Sequence, residues 1–271
     1  MEKKIFVSVL IINYNNAKFL KRSIKSCLNQ KYKNLEILIY DDKSTDKSEL
    51  LLQKYKKNKK INYFINKSKK TNIPSMDASK GYYKLINKCK GEIIFLLDSD
   101  DYFLKNKINK IIKIFNSYKK INYIQDLPLI LLGNKKKIYK KFANNALSFW
   151  PYFSPTSCIS FRRKFIKKFI KLNYFIKNKY NDLWLDFRLG VFSYYIDKSF
   201  YCFRENLTCY KPLGASKKYP FLSLNWFFRR NYSFEYLDEI SKNKINYKFS
   251  YDYYITKFFY SLKKIFLIKI K

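Results

Sequence analysis

A chain of 271 residues, 47% of them hydrophobic and 20% aromatic, is long enough to bury a core and too apolar to be a disordered segment. It has no histidine, which excludes Ser-His-Asp and Cys-His catalysis and His-ligated zinc, and its five cysteines (Cys27, Cys89, Cys158, Cys202, Cys209) lack CxxC spacing, so they read as reduced, buried thiols. The net charge of +37 comes mostly from lysine, in company with the Asn, Ile, Phe and Tyr that A/T-rich codons favour, and it points first to a solvated surface, then to anionic membrane lipid, and last to nucleic acid, which is not an expected partner.

The opening "MEKKIFVSVLIINY" is charged and then apolar, but has no small-residue cleavage site and reads on directly as a strand. Ile5–Ile12 is β-rich and apolar throughout, as a strand covered on both faces is. Asn15 or Asn16 can cap a helix that places Phe19, Leu20, Ile24, Cys27 and Leu28 on one face. "EILIY" (Glu36–Tyr40) is the next strand and ends at Asp41 and Asp42. Ser48–Lys56 reads as helix, "INYFIN" from Ile61 as strand, Asp77–Cys89 as helix and "EIIFLL" from Glu92 as a fourth strand. Strands alternating with helices at about 30-residue intervals predict βαβ units, a parallel sheet and right-handed crossovers.

Past Phe103 the pattern loosens. Leu104–Tyr118 is predicted helical, "YIQDLPLILLG" holds one or two strands, and "SPTSCISF" (Ser154–Phe161) is a turn into a strand. "RRKFIKKFIKL" is a basic amphipathic helix. "YNDLWLDFRLGVFSYY" is read as another helix, with Leu183, Trp184, Phe187 and Phe192 available for burial. From Lys217 the chain is aromatic and basic, and its end, "YITKFFYSLKKIFLIKIK", suits either a packed final helix or an interfacial one on an anionic membrane surface. No run of about 18 apolar residues suggests a spanning helix.

Ligands of open parallel sheets bind beyond the carboxyl ends of the strands. Here those ends carry Asn13 and Asn15, then Asp41 and Asp42, then Asp98, Ser99, Asp100 and Asp101. Side chains alternate along a strand, so Asp98 and Asp100 tend to one side, and their repulsion is tolerable with a cation between them and a ligand. All-oxygen ligation with few protein donors suits Mn2+ or Mg2+. An EF-hand is excluded, since counting from Asp98 puts Phe103 at the turn glycine and Asn109 at the bidentate glutamate. With five glycines there is no GxGxxG and no P-loop.

"VSVLIINYNNAKFLKRSIKSCLNQKYKNLEILIYDDKSTDKS", followed by "KGEIIFLLDSDD", resembles the GT-A glycosyltransferases of family 2 over roughly the first 105 residues. The resemblance implies an α/β fold: a Rossmann-like, mostly parallel sheet with helices on both faces (1–105), a mixed acceptor-binding half (106–215) and a basic aromatic C-terminal segment (216–271). It also implies a nucleotide-sugar donor, a divalent metal and inversion at the anomeric carbon. By position, Asn13, Tyr14 and Asp41 or Asp42 resemble the residues that hold the base and ribose, with Asn15 and Ser99 as neighbouring donor contacts. Asp98 resembles the residue near the ribose, with a share in the metal, and Asp100 the principal metal ligand. Where the family often carries Asn-Gly-Arg, this chain has "KTNIPSMDASKGYYKLIN", so Asn72 and Lys80 take the donor-contact role.

Glycosyl transfer needs a base for the acceptor hydroxyl, and the family places it in a Glu-Asp pair before a "LWLR"-like segment. In "NDLWLDFRL" Asn181 replaces the Glu, making Asp182 the first candidate base and Asp186, four positions on, the second. Ser157 and Cys158 of "SPTSCISF" resemble the acceptor-side strand. The implied reaction moves a hexose or N-acetylhexosamine from a UDP-sugar to a bacterial surface glycan such as lipooligosaccharide or capsule. The implied acceptor is a glycan or lipid-linked glycan, and the place is the cytoplasm, either free or peripheral on the cytoplasmic face of the inner membrane. Two rival functions fit the residues less well. A nucleotidyltransferase needs a Gly-rich basic loop where "NYNNAKF" stands, and a basic nucleic-acid-binding module leaves the Asp cluster unexplained.

Overall fold

The computed structural model describes residues 4–71, 73–132, 135–138, 148–173, 176, 179–212 and 220–268. Val7–Asn13 (β1), Leu35–Asp41 (β2), Ile61–Ile65 (β3) and Ile93–Asp98 (β4) form a parallel sheet in the order β3–β2–β1–β4. Helices Ala17–Leu28 (α1), Ser48–Gln53 (α2) and Pro74–Lys88 (α3) connect them, the alternation that the sequence predicts. Every residue of β1 and β2 is buried, because both faces of the sheet are covered. Alternate side chains therefore feed two cores. Val7, Val9 and Ile11 pack with Leu20, Ile24 and Cys27 of α1 on one face. Leu10 and Ile12 pack with Tyr82, Leu85 and Ile86 of α3 on the other. Gly91, just before β4, passes so close to β1 that an added Cβ would lie 2.3 Å from the backbone nitrogen of Ser8.

After β4 the sheet becomes mixed. Tyr102–Phe103 (β5), Lys107–Ser117 (α4), Tyr123–Leu132 (β6), Lys135–Ile138 (β7), Ile159–Arg162 (β8), Arg163–Asn173 (α5), Leu185–Val191 (α6) and Phe200–Tyr210 (β9) follow in chain order. The sheet continues β4–β8–β6–β9–β5, with β7 on the side of β6. β8 runs antiparallel to both β4 and β6, and β9 runs parallel to β6. The ladder between β6 and β9 slips at Leu127 and Pro128, where proline has no N–H to give. β9 is a strand for which the sequence offers no alternating pattern, since Arg204, Glu205 and Asn206 interrupt it.

The segment read as one helix from Tyr180 to Tyr195 is shorter than expected. Trp184 is extended (φ −62°, ψ 153°), so α6 begins only at Leu185, and a π-helical turn, Phe192–Ile196, ends it. Helices Leu224–Ser241 (α7) and Tyr251–Ile268 (α8) pack against each other, and α7 closes a third, aromatic core around Trp150, Phe234 and Tyr236. Among the described residues no helix is long and apolar enough to cross a membrane.

Behind the end of β4 lies a fully buried ion pair. Lys107 Nζ sits 2.6 Å from Asp126 Oδ1, and it donates to Thr208 Oγ1 (2.6 Å) and to the Ser157 carbonyl (2.8 Å). Both side chains have zero exposure, so removing one partner strands a charge in the core. Lys107→Met is expected to lower the urea-unfolding free energy by about 3 kcal/mol, and the double variant Lys107→Met/Asp126→Leu to recover part of that loss.

Candidate active site

The carboxyl ends of β1, β2 and β4 open into a cleft of about 800 Å³. Its floor is the turn after β4, where the three aspartates take different parts. Asp101 turns inward: Ser157 Oγ donates to its Oδ2 (2.5 Å) and the backbone N–H of Lys211 to its Oδ1 (2.7 Å). The same Ser157 Oγ accepts the backbone N–H of Asp98 (2.9 Å), so this residue pins both ends of the turn. Asp98 and Asp100 line the cleft. Burial, then the neighbouring Asp100 charge, pushes the Asp98 carboxyl up to about 7; the Tyr82 hydroxyl, donating to Oδ1 at 2.8 Å, works against this, and Asp186 adds to it. Burial also raises Asp100, while Lys211 and Arg22 pull it down.

Two crowded carboxylates on the floor of a cleft gain from a cation. Among the described residues no group of three His, Cys, Asp or Glu side chains makes a closed metal site. The two carboxylates are hard oxygen donors, a set that suits Mn2+ or Mg2+, which complete their shells with water and substrate phosphate oxygens. Tyr82 donates its hydroxyl to Asp98, and a hydrogen bond to a charged group is worth about 1.5–3 kcal/mol. Tyr82→Phe is expected to weaken Mn2+-dependent UDP binding about tenfold by calorimetry, with the fold unchanged by circular dichroism.

At the other end of the cleft stand Tyr14 and Asp42. Asp42 accepts from Asn66 Nδ2 (2.8 Å) and pairs with Lys70 (3.3 Å), whose Nζ lies 2.9 Å from the centroid of the Tyr14 ring. Asn13 and Asp41, expected here, do not line the cleft. Both are buried, and Asn13 Nδ2 donates to Asp41 Oδ2 (2.7 Å) and Ser48 Oγ (2.9 Å), while Ser44 donates to Asp41 from its backbone and its hydroxyl. They brace the loop that presents Asp42. Asn15, held at φ 49°, braces the same loop by accepting the backbone N–H of Thr45 at 2.7 Å. Ser99 lines the floor, its N–H donating to the Ile12 carbonyl. Lys80 sits on the exposed side of α3, whose cleft side is Pro74, Asp77 and Ala78. Asn72 lies outside the described residues.

The facing wall comes from α6 and the turn Thr156–Cys158. The extended Trp184 separates Asp182 and Asp186, so they do not share a helix face. Asp182 falls in the preceding turn and is not among the residues lining the cleft; Asp186, in the first turn of α6, is. Burial raises the Asp186 carboxyl, against the lowering effects of the Phe187 N–H (2.7 Å to Oδ1), Arg229, Thr156 and Arg188. Thr156 lines the cleft, while Ser157 is engaged with the β4 turn and Cys158 is buried. Lys70, Asp77, Tyr210, Lys211 and Arg229 also reach the cleft, and no local pattern in the sequence marks them.

A family model, Glycosyl transferase family 2, matches residues 8–204. The chain is 26% identical over 221 residues to the GalNAc(5)-diNAcBac-PP-undecaprenol beta-1,3-glucosyltransferase of Campylobacter jejuni, covering 78% of this chain and 68% of that protein. It is 33% identical over 133 residues, 47% of this chain and 49% of the relative, to UDP-Glc:alpha-D-GlcNAc-diphosphoundecaprenol beta-1,3-glucosyltransferase WfaP of Escherichia coli. The chain spans 66% of the length of a matching glycosyltransferase from Nostoc and 20% of one from Rickettsia felis. Among solved structures, S. aureus TarS 1-349 in complex with UDP superposes with a TM-score of 0.62 at 14% identity, covering 89% of this chain and 67% of that one. The mannosyltransferase PcManGT from Pyrobaculum calidifontis in complex with GDP-Man and Mn2+ does so at 0.54 and 12%, covering 90% and 66%. Both share the fold of this chain. Since the family model spans most of the chain and runs from β1 into β9, through the Asp98–Asp101 turn and α6, the chain belongs to glycosyl transferase family 2.

Proposed function

We propose that this chain is an inverting glycosyltransferase that moves a hexose or N-acetylhexosamine from a nucleotide-sugar, in the first instance a UDP-sugar, to a glycan acceptor carried on a lipid diphosphate at the cytoplasmic face of the membrane. The observation that carries the reading is the opposition, across one cleft, of Asp98 and Asp100 on the floor and Asp186 on the wall. The acceptors of the Campylobacter and Escherichia relatives, both undecaprenol diphosphates, support the acceptor class, and the UDP of TarS supports the donor.

The chemistry follows from the residues. The base and ribose of the donor lie toward Tyr14, Asp42 and Lys70, with Asn13, Asn15 and Asp41 acting from behind. Asp98 and Asp100 would hold Mn2+ or Mg2+, which as a Lewis acid offsets the charge gathering on the leaving diphosphate. Lys211 and Arg22, close enough to lower Asp100, add fixed positive charge to the same region. Asp186 accepts the proton of the acceptor hydroxyl, and its raised basicity, in a site without histidine, moves it toward the operating pH of a general base.

A donor screen tests this. UDP-, GDP-, CMP- and dTDP-sugars are offered to the purified chain with a lipid-diphosphate glycan, in Mn2+ or EDTA. One uridine donor is expected to turn over, with the configuration at the anomeric carbon inverted. Turnover of none of the four, or retention of configuration, would overturn the proposal.

A further inference from the structure

Over its described side chains, Tyr251–Leu262, α8 is apolar on two faces, and only one of them is covered. Its inner face is seated: Phe259 stacks on Phe227 of α7 with centroids 4.4 Å apart, Thr256 is fully buried, and Asp252 pairs with Arg230. The outer face carries Tyr251, Tyr254, Ile255 and Phe258 at the i, i+3, i+4, i+7 spacing of a single stripe, and they are 73%, 57%, 43% and 61% exposed. Phe249, just ahead of the helix, is 80% exposed. In a chain with 57 Lys and Arg among 271 residues, that stripe has none. The one cation of Tyr251–Leu262 is Lys257, which is half-buried with its Nζ over the Tyr253 and Tyr260 rings.

A second apolar projection lies close by. In the turn that leads into α7, Phe221 and Leu222 are 74% and 59% exposed, and Leu222 is held at φ 63°, a left-handed conformation that costs a bulky residue free energy. Phe221 contacts Trp226, which contacts Phe227, the ring that stacks on α8. The apolar stripe is flanked by charge at its start. Exposed Lys242, Lys244 and Lys248 precede it.

We propose that the outer face of α8, with the Phe221–Leu222 turn, docks this protein on an anionic phospholipid bilayer, aromatic and aliphatic side chains entering the headgroup region and the flanking lysines meeting lipid phosphates. Contiguous exposed apolar stripes mark a missing partner, and apolar side chains beside lysines match the two parts of a bilayer interface. A second copy of this chain is the poorer occupant, because it would bring +37 against +37. The inference goes beyond the assignment of donor and acceptor and does not depend on it.

The test is flotation of the full chain with vesicles of phosphatidylglycerol and phosphatidylcholine, or of phosphatidylcholine alone, beside the double variant Tyr254→Glu/Phe258→Glu. The wild type is expected to float with the anionic vesicles only, and the variant to lose about tenfold or more in partitioning while keeping its melting temperature and its hydrolysis of donor in solution. A milder variant, Tyr254→Ser/Phe258→Ser, guards against misfolding and is expected to weaken partitioning in the same direction. Failure of the wild type to float, or equal flotation of the variants, would overturn the proposal. So would a wild-type dimer in sedimentation velocity that both variants dissolve, which would give the face to a second copy. Loss of glycosyl transfer with flotation intact would instead count against the proposed activity and leave this one standing.

Discussion

Asp186→Asn is expected to lower transfer by about 10²–10⁴-fold while UDP still binds with wild-type affinity, because it removes a proton acceptor and keeps the shape of the side chain. Asp186 is the carboxylate that α6 turns into the cleft. Asp182 is the discriminating control: it lies in the turn before α6, outside the cleft lining, and Asp182→Asn is expected to keep most of the transfer rate. A large rate loss in Asp182→Asn with none in Asp186→Asn would reverse the assignment. The pH profile supplies a second readout. Burial raises the Asp186 carboxyl above its ordinary range, and a base works only when deprotonated. The rate should therefore fall as the pH drops through that raised value, so the acid limb should lie above the usual carboxylate range.

Asp100→Ala should be as damaging for a different reason. It removes one of two carboxylates from the floor of the cleft without touching the hydrogen bonds that hold the β4 turn, which run through Asp101, Ser157 and the backbone of Asp98. Turnover should drop about 10³-fold or more, the scale of losing Lewis-acid stabilisation of a leaving group, and UDP affinity should no longer respond to Mn2+. EDTA should reproduce the loss in the wild type and change nothing further in the variant. Asp101→Ala is the contrast. It leaves Ser157 Oγ and the Lys211 N–H without a buried acceptor, so it should cost about 1–3 kcal/mol of stability by thermal melting before it costs affinity for the ion. Wild-type activity in Asp100→Ala, or activity that survives chelation, would remove the metal role from this turn.

Much of this was legible in residue order, and the misses share a cause. Strands β1 to β4 are short, β-rich segments between helical repeats, and the polar residues at their ends follow directly from where the apolar runs stop. The pairing of Asp98 with Asp100 and the different fate of Asp101 were half visible: alternation separates them, but only the Ser157 hydroxyl and the Lys211 backbone decide that Asp101 faces inward. Asn13 and Asp41 stand at the strand ends and hydrogen-bond to each other and to the neighbouring loop, and a position at a strand end does not by itself tell a ligand contact from a brace between loops. Asp182 was put first by its register with the family's Glu-Asp pair and Asp186 second as its neighbour on one helix face, and the extended backbone at Trp184 removes that shared face.

From sequence alone came the class of fold, the absence of imidazole chemistry, the acidic turn at the end of the fourth strand and the likeness to family 2, because each depends on residue type and on spacing within one or two elements. Tertiary structure alone decided which carboxylate faces the cleft from α6, which cations reach it from beyond β9, and which face of α8 is left bare. Those depend on side chains brought together from segments distant in the chain, by a mixed sheet whose last strands carry no regular alternation.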